Sequence, residues 1–311
     1  MSDDRPLLGV ALMLGFCALA PLGDAIAKIL SGTIPLGQIV LIRFAFQAIL
    51  LWPLVRRSGQ PIRLTRRQFW LLLWRTLLHI SGIWVMILAL RHLPLADAIA
   101  IAYVMPFIML LLGRFVLHEA VGARRLAACL VGFTGTMMVM QPSFLAVGWA
   151  ATLPLGVAVI FALFMLVTRQ IAREIDPVAM QAINGVMGTV LLFPLVALAE
   201  GSGLAEFDPV EPGMAEIGLL VALGLLGTLA HLLMTWSLRF APASTLAPMQ
   251  YLEIPFAALF GWLIFSEFPD GMAFIGIVVV MAAGLYIINR ERRQRAVPVP
   301  KSPAGVPPSA G

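Results

Sequence analysis

Ten apolar runs of about 20 residues, separated by short charged stretches, decide what this chain can become. They cover about 7–30, 36–55, 69–90, 95–117, 122–140, 149–168, 178–199, 215–238, 244–265 and 272–289. Each is long enough to cross roughly 30 Å of hydrocarbon as a helix. The runs are continuous and rich in Leu, Ala and Val, without the alternation a barrel strand needs. With 60% apolar and 12% charged residues, the composition lies outside that of a soluble domain. The expected fold is an all-α integral membrane protein with ten transmembrane helices.

A net charge of +5 raises nucleic acid as a partner. The placement of the charge excludes it, because the cations sit in short loops and a tail. Taking the amino terminus as cytoplasmic, one side receives Arg5, Arg56, Arg57, Arg63, Arg66, Arg67, Arg124, Arg125, Arg169, Arg173 and Arg239. The tail adds Arg290, Arg292, Arg293, Arg295 and Lys301 on that side. The opposite side has Arg91, and its longest loop, 200–214, holds Glu200, Glu206, Asp208 and Glu211 with no basic residue. By the positive-inside rule both termini are cytoplasmic. Ala18-Leu19-Ala20 resembles a signal cleavage site, but Pro21 follows it and the apolar run continues, so the first helix is read as uncleaved. Cys17 and Cys129 fall within spans and read as small apolar packers.

A block repeats about 148 residues along the chain. Leu90-Arg91-His92-Leu93-Pro94, Ala102-Tyr103, Pro106-Phe107, Gly113 and Glu119 are followed in the same order by Leu238-Arg239-Phe240-Ala241-Pro242, Gln250-Tyr251, Pro255-Phe256, Gly261 and Glu267. Leu8-Gly9-Val10 likewise resembles Leu155-Gly156-Val157. Five crossings per copy is an odd number, so the second copy enters the membrane from the opposite side. The expectation is a pair of inverted five-helix repeats, 7–141 and 149–290, joined by an outer linker at 142–148. Residues 1–6 form a cytoplasmic amino terminus, and 291–311 a basic, Pro-rich, disordered tail. Glycine pairs 132/135, 185/188 and 224/227 mark packing faces. Pro106 and Pro255 match across the copies and predict a bend in each.

Ionisable groups at membrane depth are costly, so each is a candidate site. Asp24 and Lys28 lie one turn apart on the first helix, and Arg43 reaches a similar depth on the second. An Asp24–Arg43 or Asp24–Lys28 pair follows, either as a static pin or as part of a site. Arg75 lies about seven residues into the third span and can snorkel toward water. His79, one turn deeper, and His231 in the eighth span each face either substrate or a neighbouring carbonyl. Glu253 is the sharpest residue, ten positions into its span within Gln250-Tyr251-Leu252-Glu253-Ile254-Pro255. Without a partner, a carboxylate at that depth would hold a proton. It binds a cationic group, exchanges a proton as coupling ion, or pairs with Arg75 or Arg43. By the 148-residue offset the first copy has Met105 at this place. Trp84, Tyr103, Phe107, Trp236 and Tyr251 supply rings that could line a cavity. Trp52, Trp70, Trp74 and Trp149 lie near span ends and read as interface anchors.

No GxxxxGK[ST], HExxH, GxSxG or Cys/His metal spacing occurs in the sequence. The chain is therefore expected not to be an enzyme and to need no cofactor or metal; no motif assigns an oligomeric state. Asp24-x-x-x-Lys28, Arg43, Arg75, Pro94-Leu95-Ala96-Asp97-Ala98 and Glu119 are similar to the EamA-domain proteins of the drug/metabolite transporter superfamily. Ala247-Pro248-x-x-Tyr251-Leu252-Glu253 and Phe265-Ser266-Glu267-Phe268-Pro269-Asp270 resemble its S-adenosylmethionine uptake members, and riboflavin importers belong to the same broad group. The resemblance spans about 7–290. It implies a secondary transporter in the bacterial inner membrane, in contact with lipid and a small-molecule substrate such as riboflavin or S-adenosylmethionine. It also implies a central cavity walled by helices one, three, four, six, eight and nine. Export of amino acids, drugs or toxic metabolites on the same fold is the alternative. The expected binding residues are Asp24, Lys28, Arg43, Arg75, His79, Trp84, Tyr103, His231, Gln250, Tyr251 and Glu253.

Overall fold

The computed structural model describes residues 5–58, 63–118, 122–140, 148–267 and 271–296, and among these no strand occurs. Glu119, residues 142–147 of the expected linker, Phe268-Pro269-Asp270 and the chain beyond 296 lie outside the described residues. The helices are α1 (Pro6–Leu30), α2 (Leu36–Arg57), α3 (Arg66–Leu90), α4 (Leu95–Ala102), α5 (Met105–Phe115) and α6 (Ala123–Met140). After a 3-10 turn at Gly148–Ala151 come α7 (Thr152–Ile171), α8 (Pro177–Leu198), α9 (Met214–Phe240), α10 (Ala243–Gln250), α11 (Glu253–Phe265) and α12 (Gly271–Ala296). Residues 291–296, expected in the tail, instead continue the last helix.

Local chemistry sets several ends. Thr65 caps α3 by accepting from the Gln68 N–H, while the Gln68 side chain accepts from the Thr65 N–H. Asp176 accepts from the N–H groups of Val178 and Ala179, and Pro177 occupies the first position of α8, where no N–H is needed. Prolines 35, 94 and 242 precede α2, α4 and α10.

Seven segments are long and apolar enough to cross a membrane, counting Leu95–Phe115 as one. Shorter apolar helices occupy Leu126–Met138, Glu253–Phe265 and Phe274–Ala283. Two of the ten apolar runs are broken, at Tyr103-Val104 and at Tyr251-Leu252, and the two breaks are 148 residues apart. Proline explains both. Pro106 has no N–H to give the Ala102 carbonyl, and Pro255 has none for that of Tyr251. Tight turns bridge the gaps, with Val104 N–H donating to Ile101 and Leu252 N–H to Met249. The prolines themselves are 149 residues apart, yet the breaks stay in register.

Packing between the copies is reciprocal. α1 packs most extensively on α9, and α3 on α7. α2 faces α8, α4 faces α11, and α6 faces α12. Numbering the elements within each copy, first packs on third and third on first, while second, fourth and fifth each pack on their own counterpart. Two copies related by a two-fold axis produce this pattern.

The bundle has two chemically distinct ends. At the arginine-rich end, Arg5 N–H donates to Phe240 O across 2.9 Å, and Arg67 Nη1 donates to both carboxylate oxygens of Glu174, at 2.9 and 3.1 Å. The Gln68 amide and then the Arg67 guanidinium hold the Glu174 carboxyl below its usual range. At the acidic end, Arg91 pairs with Glu206 at 2.7 Å and Lys28 with Glu267 at 2.9 Å. Large apolar side chains such as Ile49, Phe193, Leu198 and Leu263 are more than half exposed on the outer faces. So much exposed apolar surface calls for a hydrocarbon neighbour.

Candidate functional site

The helix breaks meet in the middle of the bundle. Tyr103, at the end of α4, donates its hydroxyl to the carboxylate of Glu253, the first residue of α11. Both side chains are buried. Of the partners considered from sequence, neither Arg75 nor Arg43 pairs with Glu253 among the described residues; its partner is a tyrosine from the other copy's break. Tyr251, the counterpart of Tyr103, has a buried hydroxyl with no hydrogen-bond partner among the described residues. Its ring packs on α6, where a Cβ added to Gly132 would lie 2.5 Å from the ring.

Beside this contact is a central cavity of about 60 Å³, room for a few water molecules. Asp24, Arg43, Tyr103, His231 and Glu253 reach it, among apolar groups that include Phe16, Phe161 and Met165. The lining comes from α1, α2, α3, α4, α5, α7, α9 and α11. Asp24 and Arg43 both line the cavity, but no ion pair within 4.0 Å joins them among the described residues. Arg43 lies against α9, where a Cβ at Gly227 would come within 2.8 Å of its Nε. The close helix approach expected of the 224/227 glycines therefore also seats a cavity cation.

Toward the arginine-rich end the cavity is floored by uncharged polar groups. His79 and His231 approach nitrogen to nitrogen at 3.1 Å. Asn184 Nδ2 donates to His79 Nδ1 across 3.0 Å, so His79 donates from Nε2 and His231 accepts there. The Asn184 carbonyl in turn accepts from Thr76. Gln181 donates to the His231 carbonyl at 2.8 Å and to Thr235 Oγ1 at 2.6 Å, and it accepts from Gln47. This network ties α2 and α3 to α8 and α9. Sequence reasoning missed Gln47, Thr76, Gln181, Asn184 and Thr235. The available signal was the rarity of amides inside apolar runs.

The other expected residues are placed differently. Arg75 is fully buried one turn beyond the histidines, not snorkelled to water, and it does not line the cavity. Gln250 is buried with its amide against the sulfur atoms of Met165 and Met109. Lys28 leaves Asp24 for Glu267 and the Leu93 carbonyl at the acidic end. Glu267 also accepts from Leu95 N–H at the start of α4. Trp84 stacks on Phe207, which follows α8, with centroids 5.0 Å apart. Its ring seals the acidic end and is absent from the cavity lining. Among the described residues no cluster suited to a metal occurs.

The chain is similar to transport proteins over most of its length. The chain is 30% identical to a riboflavin transporter of Rhizobium johnstonii over 82% of each protein. It is 29% identical to a pseudopaline exporter of Pseudomonas aeruginosa, covering 86% of this chain and 92% of that one. It is 26% identical to an S-adenosylmethionine uptake transporter of Rickettsia bellii, over 87% and 89%. A solved crystal structure shares the fold at a TM-score of 0.67 and 20% identity, over 93% of this chain and 98% of that one. The EamA-like transporter profile matches twice, at residues 7–141 and 148–290, and the chain belongs to that family.

Proposed function

We propose that the chain is a secondary transporter of the bacterial inner membrane that moves a small organic metabolite by alternating access. The carrying observation is the central cavity, where Asp24 and Arg43 of the first copy meet His231 and Glu253 of the second. In this reading ten crossings form two oppositely oriented five-helix copies with both termini cytoplasmic. The reciprocal packing of the copies and the concentration of arginines at one end support that arrangement.

A cavity of about 60 Å³ is far below the roughly 300 Å³ of a metabolite pocket, so loading requires the bundle to open. The candidate gates are the Lys28–Glu267 and Arg91–Glu206 pairs at the acidic end and the His79–His231 floor on the other side. Opening one while the other stays closed is alternating access. Glu253 serves as the proton-exchanging group, with Tyr103 holding its charged or neutral form in place. Riboflavin and S-adenosylmethionine are the favoured solutes, because relatives at 30% and 26% identity carry those names. The 29% identity to an exporter supports export of amino acids, drugs or toxic metabolites as the second reading. Purified protein in liposomes loaded with unlabelled riboflavin or S-adenosylmethionine tests this, through entry of the labelled solute by counterflow. Absence of counterflow with both solutes would exclude them as cargo.

A further inference from the structure

Arg75 is among the largest fully buried side chains in the protein, yet no carboxylate pairs with it among the described residues. What surrounds it is neutral. Its Nε donates to Thr168 Oγ1 at 3.0 Å, its Nη2 to Thr235 Oγ1 at 3.5 Å, and the guanidinium lies 4.6 Å from the Phe164 ring centroid. Nη1 is buried with no partner among the described residues. Both threonines are oriented in advance. Thr168 donates its own proton to Phe164 O and Thr235 donates to His231 O, each at 2.7 Å, leaving lone pairs for the guanidinium. Gln181 fixes Thr235 from α8.

Two neutral hydroxyls and one ring face do not offset the burial of a full charge away from water. A neutral amide at this position would tether α3 to α7 and α9 without that cost. Such cations inside a membrane protein characteristically face a partner or a path. The location fits a path. Arg75 is one turn from His79 on α3, and Thr235 is one turn from the cavity-lining His231 on α9. The guanidinium therefore sits immediately beyond the histidine floor, toward the arginine-rich end. A forked donor with one terminal nitrogen to spare suits an oxyanion.

We propose that Arg75 is an anion-binding station on the transport path and receives a carboxylate of the moving solute after the His79–His231 contact opens. This rests on the transport reading and narrows the substrate class to solutes bearing a carboxylate, which of the two favoured solutes selects S-adenosylmethionine over riboflavin, a molecule without one. The cavity carboxylates Asp24 and Glu253 complement a cationic group on the same solute, so the class is amphoteric.

Formate is the probe, being small enough to enter a tight site. Full-length protein in detergent is titrated with sodium formate, holding ionic strength constant with the sodium salt of MES, a bulky sulfonate without a carboxylate, and the thermal midpoint is followed. A saturable rise is expected in the wild type. Arg75→Gln abolishes it, and Arg75→Lys, which keeps the charge but loses the fork, weakens half-saturation roughly tenfold. No rise in the wild type, or an equal rise in Arg75→Gln, overturns the proposal. If Arg75→Gln does not fold, unchanged half-saturation in Arg75→Lys overturns it instead. Liposome counterflow with the wild type is a separate readout, so failure of the transport reading and failure of the anion station are distinguishable.

Discussion

Tyr103 and Glu253 join the broken helix of one copy to the broken helix of the other through a single buried hydrogen bond. The reciprocal bond has no acceptor. Tyr251 stands where symmetry would place the second donor, but position 105 is Met, and the Tyr251 hydroxyl has no partner among the described residues. Two nearly equivalent breaks thus carry one carboxylate. That inequality distinguishes two breaks that otherwise match in position.

Removing the donor exposes its contribution. Tyr103→Phe leaves Glu253 buried without its hydroxyl and should cost about 1–3 kcal/mol. A lowered thermal midpoint in detergent is the expected result. An unchanged midpoint would mean that the carboxylate finds another partner easily.

Gly227 admits Arg43 to the cavity wall. Gly227→Ala places a methyl carbon 2.8 Å from Arg43 Nε, so the guanidinium must shift. Overpacking of this kind costs about 1–3 kcal/mol, and transport should fall with it. Gly218→Ala, on the same helix with nothing within 4 Å of the new carbon, is the control and should match the wild type.

The Lys28–Glu267 pair ties α1 to the chain just after α11 at the acidic end. Lys28→Ala should let a small thiol reagent reach the buried Cys17 several-fold faster, measured in a Cys129→Ser background. Labelling no faster than in the parent would show that this pair is not part of a gate.

At the arginine-rich end, the partners of Glu174 lower its pKa, so the carboxylate form is favoured in the folded protein. The stability it contributes is present above the ordinary carboxylate pKa and disappears as pH falls through the lowered value. Because Glu174 is 40% exposed, the effect is small and screened by salt. Glu174→Gln should cost only about 0.2–1 kcal/mol at neutral pH in low salt, and the difference should vanish in acid. Thermal midpoints of the pair at neutral and acidic pH provide the check.

Much of this was legible in the sequence, for a physical reason. Hydrocarbon demands about 20 apolar residues per crossing, so the runs announce themselves, and Pro106 and Pro255 mark the interrupted pair. The facing of a side chain around a helix is not announced in the same way. Trp84 and Lys28 have cavity-like depth but turn to the acidic end, where Phe207 and Glu267 meet them. The two histidines of the floor stood out, but the amides and threonines that hold them did so less, because they are uncharged and distant in sequence. Gln47 reaches Gln181 across 134 positions, and Thr76 reaches Asn184 across 108.

The most direct test of the account is pH-dependent counterflow in liposomes containing wild-type or Glu253→Gln protein, with labelled riboflavin and labelled S-adenosylmethionine tried in turn. The account predicts counterflow of at least one solute with a clear pH dependence in the wild type, and counterflow without that dependence in a folded Glu253→Gln variant. The same pH dependence in both proteins would contradict the role given to Glu253, and no counterflow of either solute would contradict its role as their carrier.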